Sequence, residues 1–281
     1  MQQITLKTIT PLVLAGKLPL LTVKINGESK QFLFDNGAPT LILNSKYGNG
    51  GGTPVQAFTA SGEQQNIQSS FISMFEWEDI RLENQMALIM DLSHFESDAE
   101  MEIHGIFGNS IMPSRDLLIN YHNKQIGLLD FPENPSNLID MIAPALIGKY
   151  ITIPFQMTHH FPLVSLKMGK KFLSMAINMG ACVNILNTSN IDYFQQQGSL
   201  INESSAIIRG MGTRKNVIAY PLRSAMLGAD SEISIDDMLF AFDDIDIIGA
   251  SVDGMLGYEM FMRISAIFRF NRRELMVSIN N

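Results

Sequence analysis

The apolar and polar positions along the chain follow the pattern of short strands separated by sharp turns. Phe32-Leu33-Phe34 is an apolar run that ends in Asp35; a glycine follows at Gly37, and a second apolar run, Leu41-Ile42-Leu43, resumes after it. This predicts a strand, a turn carrying a carboxylate, and a strand again. Residues 18–24 and 31–34 flank Asn26-Gly27, a hairpin turn signal. Residues 55–68 read as a hairpin with its tip at Ser61-Gly62-Glu63, and residues 71–82 as strand and turn around Trp77. Residues 87–91 form an apolar strand ending in an acid. Gly105-Ile106-Phe107-Gly108 boxes two apolar residues between glycines, with a short helix expected at 109–112. A strand pair, 117–121 with 125–128, closes this part of the chain.

The same series then repeats. Residues 8–44 align without a gap to residues 151–187, a spacing of 143. Pro11 meets Pro154, Pro19 meets Pro162, Gly37 meets Gly180, Ala38 meets Ala181, and Asp35 meets Asn178. The hairpin recurs at 207–220, with Gly210-Met211-Gly212 at its tip, so Gly62 pairs with Gly212. Residues 87–91 match 239–243 at a spacing of 152. The glycine box returns as Gly254-Met255-Leu256-Gly257, with a short helix expected at 258–263 and a closing strand pair at 266–270 and 274–279. Between the halves, residues 132–150 hold three prolines and an apolar patch at 138–142, expected as a linker with one short helix. The expected domains are therefore 1–131 and 151–281, joined by that linker.

Composition narrows the function classes. A length of 281 residues fits two domains, and 46% hydrophobic with 17% charged residues is a folded composition. The net charge of −8 argues against a nucleic-acid partner, which requires a basic face. The single cysteine, Cys182, excludes an internal disulfide and a cysteine-based metal site. No apolar run reaches the roughly eighteen residues of a membrane span. Met1-Gln2-Gln3-Ile4-Thr5 lacks the basic and apolar regions of a signal peptide. The compartment is then cytoplasmic as the sequence stands, or periplasmic or secreted if a signal was removed. The glycine run at 48–52 lacks the Lys-Ser or Lys-Thr of a phosphate-binding loop. No cofactor or metal is expected.

The repeated unit — an apolar strand, Asp-x-Gly-Ala, a flap-like hairpin and a later apolar-apolar-Gly before a short helix — resembles the retropepsin-like and pepsin-like aspartic peptidases. The resemblance covers residues 8–131 and 151–280 and implies a mainly β fold of two similar barrel-like lobes with short helices. In that family each lobe supplies one Asp to a shared cleft. The two carboxylates share one proton; the ionised one activates water and the protonated one polarises the scissile carbonyl. A hydroxyl residue after each Asp braces the loops, and the flaps cover a peptide bound in extended form.

Mapped onto this chain, Asp35 keeps its carboxylate and Gly37 and Ala38 match. Asn178 stands in the place of the second acid, with Gly180 and Ala181 matching. Asn36 and Met179 replace the bracing hydroxyl residues; Asn36 still offers a hydrogen bond, and Met179 has only a thioether. The flap contacts implied are Ser61, Gly62, Met211 and Gly212. An amide exchanges no proton at neutral pH, and Asp35 without a like-charged partner has no shared proton to hold. Loss of one member of a cooperating catalytic unit commonly costs on the order of 10⁴-fold in rate.

Other groups carry blander readings. Asp35 and Asn178 are also readable as structural polar groups at turns, Asn178 bonding across the interface. Cys182 reads as a small buried core residue. His159 and His160, adjacent on a strand, would face opposite ways and make a poor metal pair. His94, Glu96, Asp98, Glu100, Glu102 and His104 alternate, so strand periodicity would place them on one face; a solvated acidic loop is the alternative to a metal site. Three functions follow: a peptidase-like protein binding extended peptides with weak or no proteolysis, an active endopeptidase using Asp35 alone or by two-chain assembly, and a structural protein with an unused cleft. Family resemblance and site chemistry point in opposite directions, so enzyme status stays open at this level.

Overall fold

A computed structural model describes residues 6–47, 52–58, 64–112, 115–129, 150–210, 213–228, 234–245, 247 and 251–279. The molecule is mainly β, in two barrel-like lobes with few short helices.

In the first lobe the strands lie in the order Val13–Ala15, Leu18–Ile25, Glu28–Phe34, Gly105–Phe107, Leu41–Asn44, Ile80–Met90, Gln64–Trp77 and Thr53–Phe58. Lys24 also pairs with Glu76, which closes the sheet on itself. Glu28–Phe34 sits inside this sheet, and Phe32, Leu33 and Phe34 are fully buried although their side chains alternate in direction. A strand covered on both faces reads as a continuous apolar run, which is why the sequence shows no alternation there. The Phe107 ring packs edge-on against Phe34, Phe75 and Trp77 at centroid separations of 5.6, 5.4 and 5.0 Å. This aromatic cluster fixes the end of the strand that delivers Asp35.

The second lobe repeats the plan as a half-barrel, with Ser204–Gly210, Thr213–Leu222, Met238–Phe242, Asn184–Leu186, Gly254–Leu256, Lys171–Ile177 and Phe161–Met168 side by side. The strand pairing repeats in the two halves. Phe34 pairs in parallel with Phe107, and Ile177 with Leu256. Ile42 lies antiparallel to Ile106, and Ile185 to Met255. One spacing changes: Leu41 pairs with Ala87 but Asn184 pairs with Phe240, so these strands correspond at 153 residues rather than 152. A one-residue slip reverses which face each side chain takes.

Each glycine box is a strand threaded between the strand that precedes the turn and the strand that follows it. A methyl group on Gly108 would stand 2.0 Å from the Thr40 carbonyl oxygen, so no other residue lets the backbones pass. The helices expected after the boxes are present as Asn109–Ile111, a single 3₁₀ turn, and Tyr258–Phe261.

The closing strand pairs do more than cap each half. Asp116–Asn120 pairs with Ile264–Arg269 across the lobes, bringing Leu118 opposite Ile267. Leu6–Pro11, Gln125–Leu129, Asp116–Asn120, Ile264–Arg269, Glu274–Ile279 and Tyr150–Pro154 thus form one six-stranded sheet shared by both lobes. The acidic segment after residue 92 is not a strand: Ser93–Ala99 is helical, with Phe95 and Ala99 buried four residues apart on one face. A second helix, Ile191–Gln196, follows the second motif and buries Phe194. The short helix expected within the linker falls outside the described residues.

Candidate active site

Asp35 stands where the strand Glu28–Phe34 ends. Its backbone N–H donates to the Phe107 carbonyl at 3.2 Å, and its Oδ1 accepts the Gly37 N–H at 2.7 Å. Asn178 repeats both contacts: its N–H donates to the Leu256 carbonyl at 2.9 Å, and its Oδ1 accepts the Gly180 N–H at 2.9 Å. That second bond orients the amide. The oxygen is taken by its own loop, so the NH₂ faces the other way. A methyl on Gly37 would lie 2.5 Å from Asn178 Nδ2, which places the NH₂ against the facing loop. In return, a methyl on Gly180 would lie 2.3 Å from Asp35 Cγ. The two turns therefore interlock, each glycine leaving room for the polar side chain of the other.

Asp35 retains some accessible surface, yet protein crowds its carboxyl closely enough to remove most hydration. Burial pushes its pKa up to about 6; the N–H groups of Gly37 and Gly180 pull the other way without cancelling it. The sequence offered no reason for a raised pKa once the like-charged partner was gone; burial supplies one. Proton sharing is absent, but desolvation does part of what a second carboxylate would do.

The brace between the loops is one-sided. Asn36 is buried, and its Nδ2 donates to the Ile177 carbonyl at 2.9 Å while its Oδ1 accepts the Met179 N–H at 2.7 Å. One amide thus holds the backbone on both sides of Asn178. Met179, fully buried, contributes no side-chain bond, but Tyr121 Oη donates to its carbonyl at 2.6 Å. Burial, then the nearby Asp35, pushes the Tyr121 hydroxyl well above its ordinary pKa, so it stays a donor. Ala38 and Ala181 sit under the glycine boxes: the Ala38 carbonyl accepts from Asn109 N–H and the Ala181 carbonyl from Tyr258 N–H, each at 2.8 Å.

With this geometry in place, comparison with known proteins is informative. No family model and no curated protein sequence matches the chain. Its structure is similar to that of basic 7S globulin from soybean, with a TM-score of 0.58 over 97% of this chain and 95% of that chain at 8% identity. The chain has an aspartic-protease-like, bilobal β fold. At that identity the likeness concerns the fold alone.

The remaining candidates divide. Cys182 is buried among Ala38, Leu33, Ile42 and Ile106, so a second-lobe thiol packs in a first-lobe cluster. His159 and His160 are not on a strand; they form the turn between Gln156–Thr158 and Phe161–Met168. His160 bonds the Gly37 carbonyl at 3.1 Å, and since a carbonyl only accepts, its Nε2 carries the proton. Burial lowers the His160 pKa, favouring the neutral ring. Glu96 is held by Tyr47 Oη at 2.9 Å and the Ile103 N–H at 3.1 Å. Among the described residues no group of three or more His, Cys, Asp or Glu is arranged to hold a metal ion. The arms of both hairpins pair, Thr53–Phe58 with Gln64–Trp77 and Ser204–Gly210 with Thr213–Leu222. Ser61, Gly62, Met211 and Gly212 lie outside the described residues.

Tyr121 was not identified from sequence, and His160 was weighed only as a metal ligand, not as a contact to the loop of Asp35. The signal available for His160 is its alignment with Lys17 in the duplicate, whose ammonium reaches across to Glu259 at 2.8 Å. Both belong to the same turn in the two copies, and both contact the opposite lobe.

Proposed function

We propose that this chain is an aspartic-peptidase-like protein that binds an extended peptide between its two lobes and has little or no proteolytic activity. We divide it into a first lobe at 1–131, a linker at 132–150 and a second lobe at 151–281. The observation that carries the reading is Asn178, a neutral amide anchored through its oxygen to Gly180, with its NH₂ toward the loop of Asp35. A peptidase needs an acid at that place to protonate or polarise the scissile group. An amide beside a carboxylate instead presents a donor and an acceptor side by side, matching the C=O and N–H of a peptide group. The paired arms of the two hairpins support strand addition to such a ligand, with Ser61, Gly62, Met211 and Gly212 as the proposed contacts.

The raised pKa of Asp35 favours one alternative, a slow enzyme using this carboxyl alone as acid and base. Two-chain assembly gains no such support, because the position a second acid would take beside Asp35 is already held by Asn178 and Gly180 of the same chain. Binding and cleavage of a mixed peptide library separate the readings. The proposal expects captured peptides that stay intact, and loss of capture in Asp35→Ala. Cleavage by the wild-type chain that Asp35→Ala abolishes supports the enzyme; an absence of both capture and cleavage rejects the two together.

A further inference from the structure

We infer that the place at Asp35 takes a cationic side chain, the ammonium or guanidinium of a Lys or Arg in the bound peptide. This rests on the peptide-binding reading and names the chemistry of its ligand.

The argument starts from charge. In a two-acid site a single negative charge is spread over two carboxylates and one proton. Here it belongs to Asp35 alone. Its hydrogen-bond donor is the Gly37 N–H, and the nearby Gly180 N–H, which donates to Asn178 Oδ1, also favours its charged form; both are dipoles and not counter-charges. Among the described residues no Lys, Arg or His forms an ion pair with it.

The groups around it do not make up the deficit. Asn178 faces it from the second-lobe loop and is neutral. Tyr121, beyond the end of Asp116–Asn120, and Cys182, from the same loop as Asn178, are neutral when protonated, and Tyr121 is held so by burial. His160, from the turn before Phe161–Met168, is directed to the Gly37 carbonyl and biased to its neutral form. Lys17, the duplicate of His160, is ion-paired with Glu259. A desolvated carboxylate with no counter-ion is costly in its charged form. A cation placed against its accessible surface removes that cost, while a neutral side chain there leaves it in place. The net charge of −8 attracts basic ligands to the molecule as a whole but selects no position. Protons and cationic ligands therefore compete for Asp35.

The test uses the full chain and blocked seven-residue alanine peptides whose central residue is Lys, Arg, norleucine, Gln or Glu. Affinities are measured at about pH 7.5 and about pH 4.5, on either side of the Asp35 titration. The Lys and Arg peptides are expected to bind at least about tenfold more tightly than the norleucine peptide at the higher pH. That advantage is expected to vanish at the lower pH and in Asp35→Asn, which keeps the shape and the acceptor for Gly37. Equal binding of Lys and norleucine peptides overturns the inference and leaves the peptide-binding reading standing. A Lys preference that survives in Asp35→Asn also overturns it, since net charge then accounts for it. If none of the peptides binds, the peptide-binding reading has failed, and n-butylammonium decides the inference. Movement of the Asp35 Cγ resonance with a lowered titration midpoint supports a cation site; an unmoved resonance overturns it.

Discussion

Asn36 holds the second-lobe loop with both ends of one amide, and beside it lies Asp35, with which no Lys, Arg or His among the described residues forms an ion pair. These two side chains give the clearest single-residue tests. Asn36→Ala removes two buried hydrogen bonds and strands the Ile177 carbonyl and the Met179 N–H. Roughly 2–4 kcal/mol of stability should go with them, read from the denaturant midpoint; an unchanged midpoint would show that the brace lies elsewhere. For Asp35, the pKa of the folded state, about 6, lies above the ordinary 3.8. The folded protein then binds this proton more tightly than the unfolded chain does. Its contribution to stability is complete below about pH 4 and is lost as the pH rises through about 6. Compared with Asp35→Asn, the wild type should lose on the order of 2 kcal/mol between those limits; a difference that is flat with pH would contradict burial as the cause. The Asp35 and Asn178 mismatch was legible in the sequence because the duplication puts the two residues in register. The double bond made by Asn36 and the contacts of Tyr121 and His160 were not, because they join residues far apart in the chain through closure of the fold.

The glycine boxes show how far a motif determines an element. Their recurrence at a spacing of 149 marked equivalent places in the two halves, but the pairing of each box with the strands on either side of the turn came from the fold, and the threaded strand accounts for the glycine. Gly108→Ala should cost more than about 3 kcal/mol or prevent folding, because the methyl meets backbone. Gly198→Ala, at a φ of +63° with open space around it, should cost only about 1 kcal/mol. Similar melting temperatures for the two variants would refute the threading. The one-residue error between 152 and 153 arose because two apolar strands align almost equally well at either offset, and only pairing decides the face. The helix Ser93–Ala99 was missed because alternating charges fit a strand face or a solvated acidic loop, whereas the deciding signal was the four-residue spacing of Phe95 and Ala99. Its charges are used far away in the chain, Asp98 pairing with Arg214 at 3.2 Å and Glu96 accepting from Tyr47 Oη at 2.9 Å, and carry little information about the local backbone.

The lobes share a sheet, and this was the least legible feature. Each half announced its closing strand pair, but nothing local tells a strand edge that its partner lies about 150 residues away. The seam is fully buried at Leu117, Leu118, Ile119, Ala266, Ile267 and Phe268, and Asn120 Nδ2 donates to Ser265 Oγ across it at 2.7 Å. Neither half keeps its edge covered without the other. Calorimetry should therefore show one cooperative unfolding transition for both lobes; two separated transitions would mean that the shared sheet does not couple them.

The central proposal is that this aspartic-protease-like fold lacks proteolysis because Asn178 stands where a second acid is needed. It is tested most directly by assaying peptide cleavage across about pH 3 to 7 for wild type, Asn178→Asp and the double variant Asn178→Asp/Asp35→Ala. The account predicts a silent wild type, cleavage by Asn178→Asp at least about 100-fold above it, and silence again in the double variant. Cleavage by the wild type that depends on Asp35 would contradict it.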